Sequence, residues 1–448
     1  MRPASASTVS ISSMLQSCVQ SRSLPRSRST MLILVVSFYA MSLYNVTIED
    51  RVVMDGRDGA MKRLLITAGR VFTPITVLRV GSVLVEDGRI ERVFDTPAAS
   101  WAGADTIINA EGLLVAPGFV DLQINGGFGY DFTQAPESIP EVAARLPRFG
   151  VTAFLPTIIS APLETYKRAL DAITAPAGGA RPLGLHFEGP FLNPERAGAH
   201  DRQFLLLPDA RIVQQWASLE RVRMVTLAPE LPGALELIER LRRAGVTAAL
   251  GHSQATYAEA KAAFDAGARF VTHLFNAMRP LHHREPGLAG AALEDPRVRV
   301  SLIADGVHLH PAAVRMVWNL KPPKLIALVT DAMAAAGDAP STGRYGEIVV
   351  DREAGTARLP DGTLAGSILT MDQALRNLIQ MTECSPSEAL QCVSTTPAAV
   401  IGWGGRKGWL RRGYDADIVL LTPELQVVGT IIAGELVYWA GEPERLRR

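Results

Sequence analysis

The sequence predicts an α/β protein: a (β/α)8 TIM-like barrel with a small β-sandwich domain formed from both chain ends. Three observations carry this. Between Leu113 and Met333, short apolar, β-branched runs alternate with helical stretches, and eight strands can be counted. Residues 64–95 and 408–438 alternate strand-like runs with turn signals instead. The polar residues of the barrel segment collect at the C-terminal ends of its strands, the edge where barrel enzymes place their chemistry.

The elements follow in order. Residues 64–95 hold strand-like runs at 64–68, 71–72, 77–80, 82–85 and 90–93, with Asp87-Gly88 as a hairpin turn. Barrel strand one is 113–123. Helix 139–148 leads to strand two at 151–159, and helix 163–173 to strand three at 182–187. Helix 209–217 leads to strand four at 223–228, and helix 234–244 to strand five at 246–251. Helix 257–266 leads to strand six at 269–275, and a longer loop with 287–295 to strand seven at 299–304. Helix 312–320 leads to strand eight at 325–330. Each strand is nearly all apolar, as burial on both faces requires. A hairpin-like stretch follows, 347–350 and 356–359, closed near Pro360-Asp361-Gly362. Next come helix 369–381 and a second helix opening at Ser385-Pro386-Ser387-Glu388, which has capping-box spacing and Pro in its first turn. Strands at 417–421, 427–432 and 435–438 return to the opening sheet. Residues 61–112 and 407–448 are thus the two parts of the β domain, around a barrel with trailing helices at 113–406.

Composition narrows the function classes. Lys plus Arg and Asp plus Glu are both 45, so the formal net charge is zero. Neither a nucleic-acid footprint nor a polybasic membrane surface is present. With only Cys18, Cys384 and Cys392, and no CxxC pair, neither a disulfide framework nor a thiolate zinc site is expected, and a reducing compartment, the cytoplasm, fits. Residues 1–60 do not conform to the fold. The apolar run from Met31 to about Leu43 is too short to span a bilayer, which needs about 20 residues. It resembles a secretory h-region, and a transit peptide is another reading. The preferred one is a translation start at Met61, where Met61-Lys62-Arg63-Leu64-Leu65-Ile66 opens directly into a strand.

All eight His lie between His186 and His310. Strand one ends in Gln123-Ile124-Asn125, strand three in His186-Phe187-Glu188-Gly189-Pro190, and strand five in Gly251-His252-Ser253. Strand six runs through Thr272-His273-Leu274-Phe275-Asn276, strand seven ends in Asp305-Gly306-Val307-His308, and strand eight in Thr330-Asp331-Ala332. A single histidine at a strand end is usually a satisfied core residue. Two histidines and two carboxylates on one rim are not. Glu188, His252 and His273 offer one oxygen and two nitrogens, the donor set of a catalytic zinc site with one open position. Asp331 is the candidate general base and then acid, with a helix cap as its bland alternative.

These stretches, together with Ala116-Pro117-Gly118-Phe119-Val120-Asp121, Ala277-Met278, Arg284-Glu285-Pro286-Gly287 and Leu364-Ala365-Gly366-Ser367, resemble the N-acetylglucosamine-6-phosphate deacetylase family of the amidohydrolase superfamily, over about residues 61–445. The resemblance implies hydrolysis of the acetamide of N-acetylglucosamine 6-phosphate to glucosamine 6-phosphate and acetate. It implies Glu188, His252 and His273 as ligands of a divalent metal, Zn2+ or Fe2+, and Asp331 as the acid/base. It implies His200 as the group that helps polarise the acetamide carbonyl, and Asn276, the Ala277 backbone and Arg284 as phosphate contacts. His308 is implied as a sugar contact and the assembly as a homodimer. Many amidohydrolases carry His-x-His after strand one, holding a second metal. Gln123-Ile124-Asn125 stands there instead, so one metal is expected. Strand four ends in Ala228-Pro229-Glu230, without a lysine to be carboxylated. Two other enzyme readings stay open, a galactosamine-type deacetylase and a hydrolase of another amide. A non-catalytic relative ranks last, because every catalytic position holds a competent residue.

Overall fold

The computed structural model describes residues 62–447, apart from 74–75, 99–102, 175–177, 217–220, 338–343 and 346–347. Residues 1–61, with the apolar run read as an h-region and the Met61 read as a start, and Glu347 lie outside the described residues. Met61–Arg448 forms one compact unit.

Eight parallel strands follow one another around the barrel in chain order: Phe119–Ile124, Val151–Ile158, Leu185–Glu188, Val222–Leu227, Thr247–Leu250, Phe270–Val271, Arg299–Leu302 and Ile326–Leu328. The barrel is as the alternation predicts. Its strands and covering helices share one large apolar core, which includes Phe119, Phe154, Phe187, Phe264 and Phe270.

Three departures have local causes. The run 113–123 is two strands, not one. Leu114–Pro117 belongs to the small sheet and Phe119–Ile124 to the barrel. Gly118 between them lies against Thr152, where a Cβ would stand 2.3 Å from the threonine side chain, so only glycine passes. The stretch 287–295, read as loop, is the helix Gly287–Glu294. Two glycines lower its propensity by roughly 1 kcal/mol each, but Leu288, Ala289, Ala291, Ala292 and Leu293 are buried, and packing decides. Strand six is only Phe270–Val271, because the backbone turns left-handed at His273, Phe275 and Ala277.

The chain ends pair as expected. Ile418–Leu421 runs antiparallel to Leu114–Pro117, and Val427–Ile432 and Glu435–Trp439 extend the sheet outward. Arg63–Phe72 changes partner midway: Thr106–Asn109 along one half, Leu114–Pro117 along the other. The sheet forks there around its own core of Leu64, Ile66, Val83, Ile108, Ile418 and Ile431. Strands Thr106–Asn109 and Leu446–Arg447 were not anticipated. The hairpin after the barrel is Ile348–Asp351 with Thr356–Arg358, and it closes through residues 352–355. The Pro360-Asp361-Gly362 turn instead folds Leu364 back onto Arg358. The Ser385 capping box with Glu388 is formed. Among the described residues no helix is long and apolar enough to cross a membrane.

Candidate active site

The strand ends deliver their polar side chains to one mouth of the barrel. Glu188 ends strand three; His252 and Asp331 follow strands five and eight, and both sit in the left-handed region, at φ 48° and 50°. Non-glycine residues held there store roughly 1–3 kcal/mol each. Main-chain bonds hold them in place. Asn193 N–H donates to the His252 carbonyl at 3.0 Å, and Asp331 N–H donates to the Gln123 carbonyl at 2.9 Å. Ser367 N–H donates to the Asp331 carbonyl at 2.8 Å.

Glu188, His252 and His273 are all buried. Glu188 Oε1 stands 2.9 Å from His273 Nε2 and 3.2 Å from His252 Nε2, and the two nitrogens are 3.2 Å apart. Donors in a tetrahedral zinc shell lie roughly 3.3–3.6 Å from one another, so this triangle is nearly of ligand size. His252 Nδ1–H donates to the Arg196 carbonyl at 2.9 Å, so Nε2, which faces Glu188, is the ring nitrogen placed to ligate. A carboxylate oxygen and a ring nitrogen 3.2 Å apart can share a cation. The donor set therefore fits a divalent metal. His273 Nδ1 is buried and has no partner. Burial raises the pKa of Glu188, but contacts with His200, His252 and His273 outweigh it and hold the carboxyl well below its ordinary range.

His200 also borders the cluster. One ligand atom each from Glu188, His200 and His252 lie within 4.8 Å of one another, so proximity alone admits His200 as a ligand. Its hydrogen bonds do not. Ser160 N–H donates to His200 Nδ1 at 3.2 Å, which fixes the proton of the neutral ring on Nε2. Nε2–H lies 3.6 Å from Glu188 Oε2. A ring nitrogen carrying a proton donates and does not ligate. Burial, the largest influence, lowers the pKa of this ring and keeps it neutral.

Gln123 ties the ligand cluster to Asp331. Its amide nitrogen donates to Glu188 Oε1 at 2.9 Å and to Asp331 Oδ1 at 3.0 Å. Its oxygen accepts from Thr272 Oγ1 at 2.6 Å. What Gln123 presents to the site is therefore an N–H pair, which cannot bind a metal. Asn125 Nδ2 donates to the same Asp331 oxygen at 2.7 Å. Asp331 is half-buried; desolvation, then the Glu188 charge, pushes its pKa up to about 6. His308 acts on it in the opposite sense, and its own Nδ1–H donates to Asp305 Oδ2 at 2.6 Å.

The structure thus gathers Glu188, His200, His252, His273 and Asp331, with His308 near enough to act on Asp331. Asn276 and Ala277 follow His273 on the same loop. Asn276 Nδ2 donates to the His273 and Leu274 carbonyls. The Ala277 carbonyl accepts from Ser253 N–H. Arg284 is exposed, and no hydrogen bond or ion pair of its side chain joins it to the cluster. Ser160 and Thr272 were missed in the sequence, since a serine before a helix and a threonine after an apolar run carry no signal of such roles.

Residues 114–437 match the amidohydrolase family. The N-acetylglucosamine-6-phosphate deacetylase of Bos taurus is 41% identical, across 87% of this chain and 99% of its own. The N-acetylgalactosamine-6-phosphate deacetylase of Escherichia coli O157:H7 is 39% identical, across 80% of this chain and 98% of its own. Among solved structures, a mutant N-acetyl-D-glucosamine-6-phosphate deacetylase from Mycobacterium smegmatis, in complex with N-acetyl-D-glucosamine 6-phosphate, superposes with a TM-score of 0.75. It is 36% identical and covers 85% of this chain and 100% of its own.

Proposed function

The chain belongs to the amidohydrolase family, and from that premise we propose that it is a deacetylase that hydrolyses the acetamide of N-acetyl-D-glucosamine 6-phosphate to D-glucosamine 6-phosphate and acetate. The observation that carries this reading is the convergence of Glu188, His252 and His273 beside an acid/base carboxylate, Asp331, on one strand-end rim.

Glu188, His252 and His273 would hold one divalent cation, zinc or iron. When bound, that cation supplies Lewis-acid polarisation at the acetamide and at the attacking water. Gln123 supports a single ion, because only its N–H groups face the site. Asp331 takes the water proton and delivers it to the leaving amine. His200 donates Nε2–H to the carbonyl oxygen as negative charge develops there. Asn276, the Ala277 N–H and Arg284 hold the phosphate, and His308 the sugar. Support for Ala277 is that its N–H has no acceptor among the described residues. The family resemblance further supports a cytoplasmic homodimer. The zero net charge accords with a task that involves neither nucleic acid nor membrane.

The test is acetate release from N-acetylglucosamine 6-phosphate, beside the unphosphorylated sugar and the galacto epimer, with and without chelation. Chelator-sensitive release that is fastest with the phosphorylated gluco substrate is expected. Faster release from N-acetylgalactosamine 6-phosphate would reassign the substrate. No release from folded, metal-replete protein would overturn the reading.

A further inference from the structure

We infer that Asp121, a buried carboxylate outside the catalytic cluster, is a positioning residue that clasps the barrel's last seam and thereby sets the Asp331 carboxylate against Gln123. The inference rests on the acid/base reading of Asp331 given above.

Seven of the eight junctions around the barrel are strand ladders. The eighth, between Phe119–Ile124 and Ile326–Leu328, is not. Main-chain contact across it is confined to its upper end. There Asp331 N–H donates to the Gln123 carbonyl, and Asn125 and Gly126 N–H both donate to the Ala332 carbonyl. A single bridge, Ile124 with Ala332, is all the strand pairing it has. Below that point, among the described residues, side chains span the gap: Thr330 Oγ1 lies 3.3 Å from the Gln123 carbonyl, and Asp121 makes the shorter contact with the same hydroxyl. Its Oδ2 accepts from Thr330 Oγ1 at 2.6 Å, and its Oδ1 accepts from Thr330 N–H at 3.3 Å and from Gln123 N–H at 3.2 Å. Asp121 is fully buried, and a buried carboxylate without partners would be costly. Here three donors face it, and all come from the residues on either side of the seam.

Those residues are the immediate supports of the acid/base pair. Thr330 precedes Asp331, and Gln123 donates to the Asp331 carboxylate. Thr330 Oγ1 also accepts from Ala332 N–H at 3.2 Å, and the Thr330 carbonyl accepts from Ser367 Oγ at 2.5 Å. Both neighbours of the left-handed Asp331 are therefore pinned, and the pin is anchored on Asp121. Release of the clasp frees the end of strand eight to shift against strand one. A misplacement of about 1 Å at a reacting group costs on the order of 100-fold in rate.

The test uses the full chain, loaded with metal. Asp121→Ala and Thr330→Val both break the clasp, whereas Thr330→Ser keeps the hydroxyl. Thr330→Val is expected to lower kcat by roughly 10- to 100-fold with KM within about twofold of the parent, and Thr330→Ser to restore most of the loss. Metal content stays at the parent value. A fold-only role would lower Tm and leave kcat of the folded protein untouched. If Asp121→Ala does not fold, the threonine pair decides alone. Equal kcat in Thr330→Val and the parent overturns the inference, and so does a loss that comes with loss of metal. A crystal structure of Thr330→Val gives a readout independent of activity: separation of Asp331 Oδ1 from Gln123 Nε2 beyond hydrogen-bonding range supports the clasp, and an unchanged distance overturns it. An inactive parent would instead condemn the deacetylase reading, which separates the two failures.

Discussion

The backbone N–H of Ser160 donates to Nδ1 of His200, and the Ser160 hydroxyl lies 2.9 Å from the same nitrogen. A main-chain N–H cannot accept, so the neutral His200 ring carries its proton on Nε2, toward Glu188 and the site. Proximity makes His200 a candidate ligand, but the tautomer makes it a donor. His200→Asn should therefore leave metal content unchanged while kcat falls by roughly 100- to 1,000-fold, the usual effect of removing one oxyanion donor. Elemental analysis beside steady-state kinetics checks this. Loss of metal in the variant would return His200 to the ligand shell and displace His273.

Asp331 is held by two amide donors, Gln123 and Asn125, on a single oxygen, Oδ1. That leaves Oδ2 to exchange a proton. Asp331→Asn keeps the shape and removes the proposed base. Turnover should fall to background while the metal stays bound, because the ligand triangle does not include this residue. Near-normal turnover in the variant would sink the mechanism.

The pKa of Asp331 gives a pH test with a definite sign. In the metal-free protein, desolvation and the Glu188 charge push it up to about 6. A folded-state value above the unfolded one means that the group's contribution to stability is complete below the ordinary carboxylate range. It is lost as pH rises through about 6. Metal-free Asp331→Asn should therefore gain Tm over the metal-free parent at pH 7.5 but not at pH 4, as calorimetry can show. A cation on Glu188 offsets the charge that raises Asp331. The acid limb of kcat in the loaded enzyme should accordingly fall below pH 6. A limb above pH 6 would mean that a different group supplies the base.

The barrel was legible because buried parallel strands are apolar runs and their polar residues stand out at the ends. Glu188, His252, His273 and Asp331 fell on one rim by that argument alone. The helix Gly287–Glu294 was not legible, since its glycines speak against a helix and only its buried face speaks for one. Nor was the break at Gly118, which depends on the approach of Thr152 from another strand. The tautomer of His200 is set by the distant Ser160 N–H, and the Thr330 N–H reaches Asp121 from the other end of the barrel segment. Backbone donors leave no trace in a residue pattern, so this layer of the site became visible only in three dimensions.

Arg284 tests the phosphate. It lies exposed on the loop after strand six, and among the described residues no carboxylate pairs with it. An exposed, unpaired guanidinium is free to form a bidentate bond with a phosphate dianion, a geometry that lysine cannot reproduce. Hydrogen bonds to charged groups contribute about 1.5–3 kcal/mol. Arg284→Ala should thus raise KM for the phosphorylated sugar roughly 10- to 100-fold, with a much smaller change in kcat. Arg284→Lys should recover only part of the loss, and the parent's KM should rise with ionic strength more steeply than that of the alanine variant. Activity on the unphosphorylated sugar should not respond to either substitution. If both substrates lose equally, Arg284 supports the loop and the phosphate is held elsewhere.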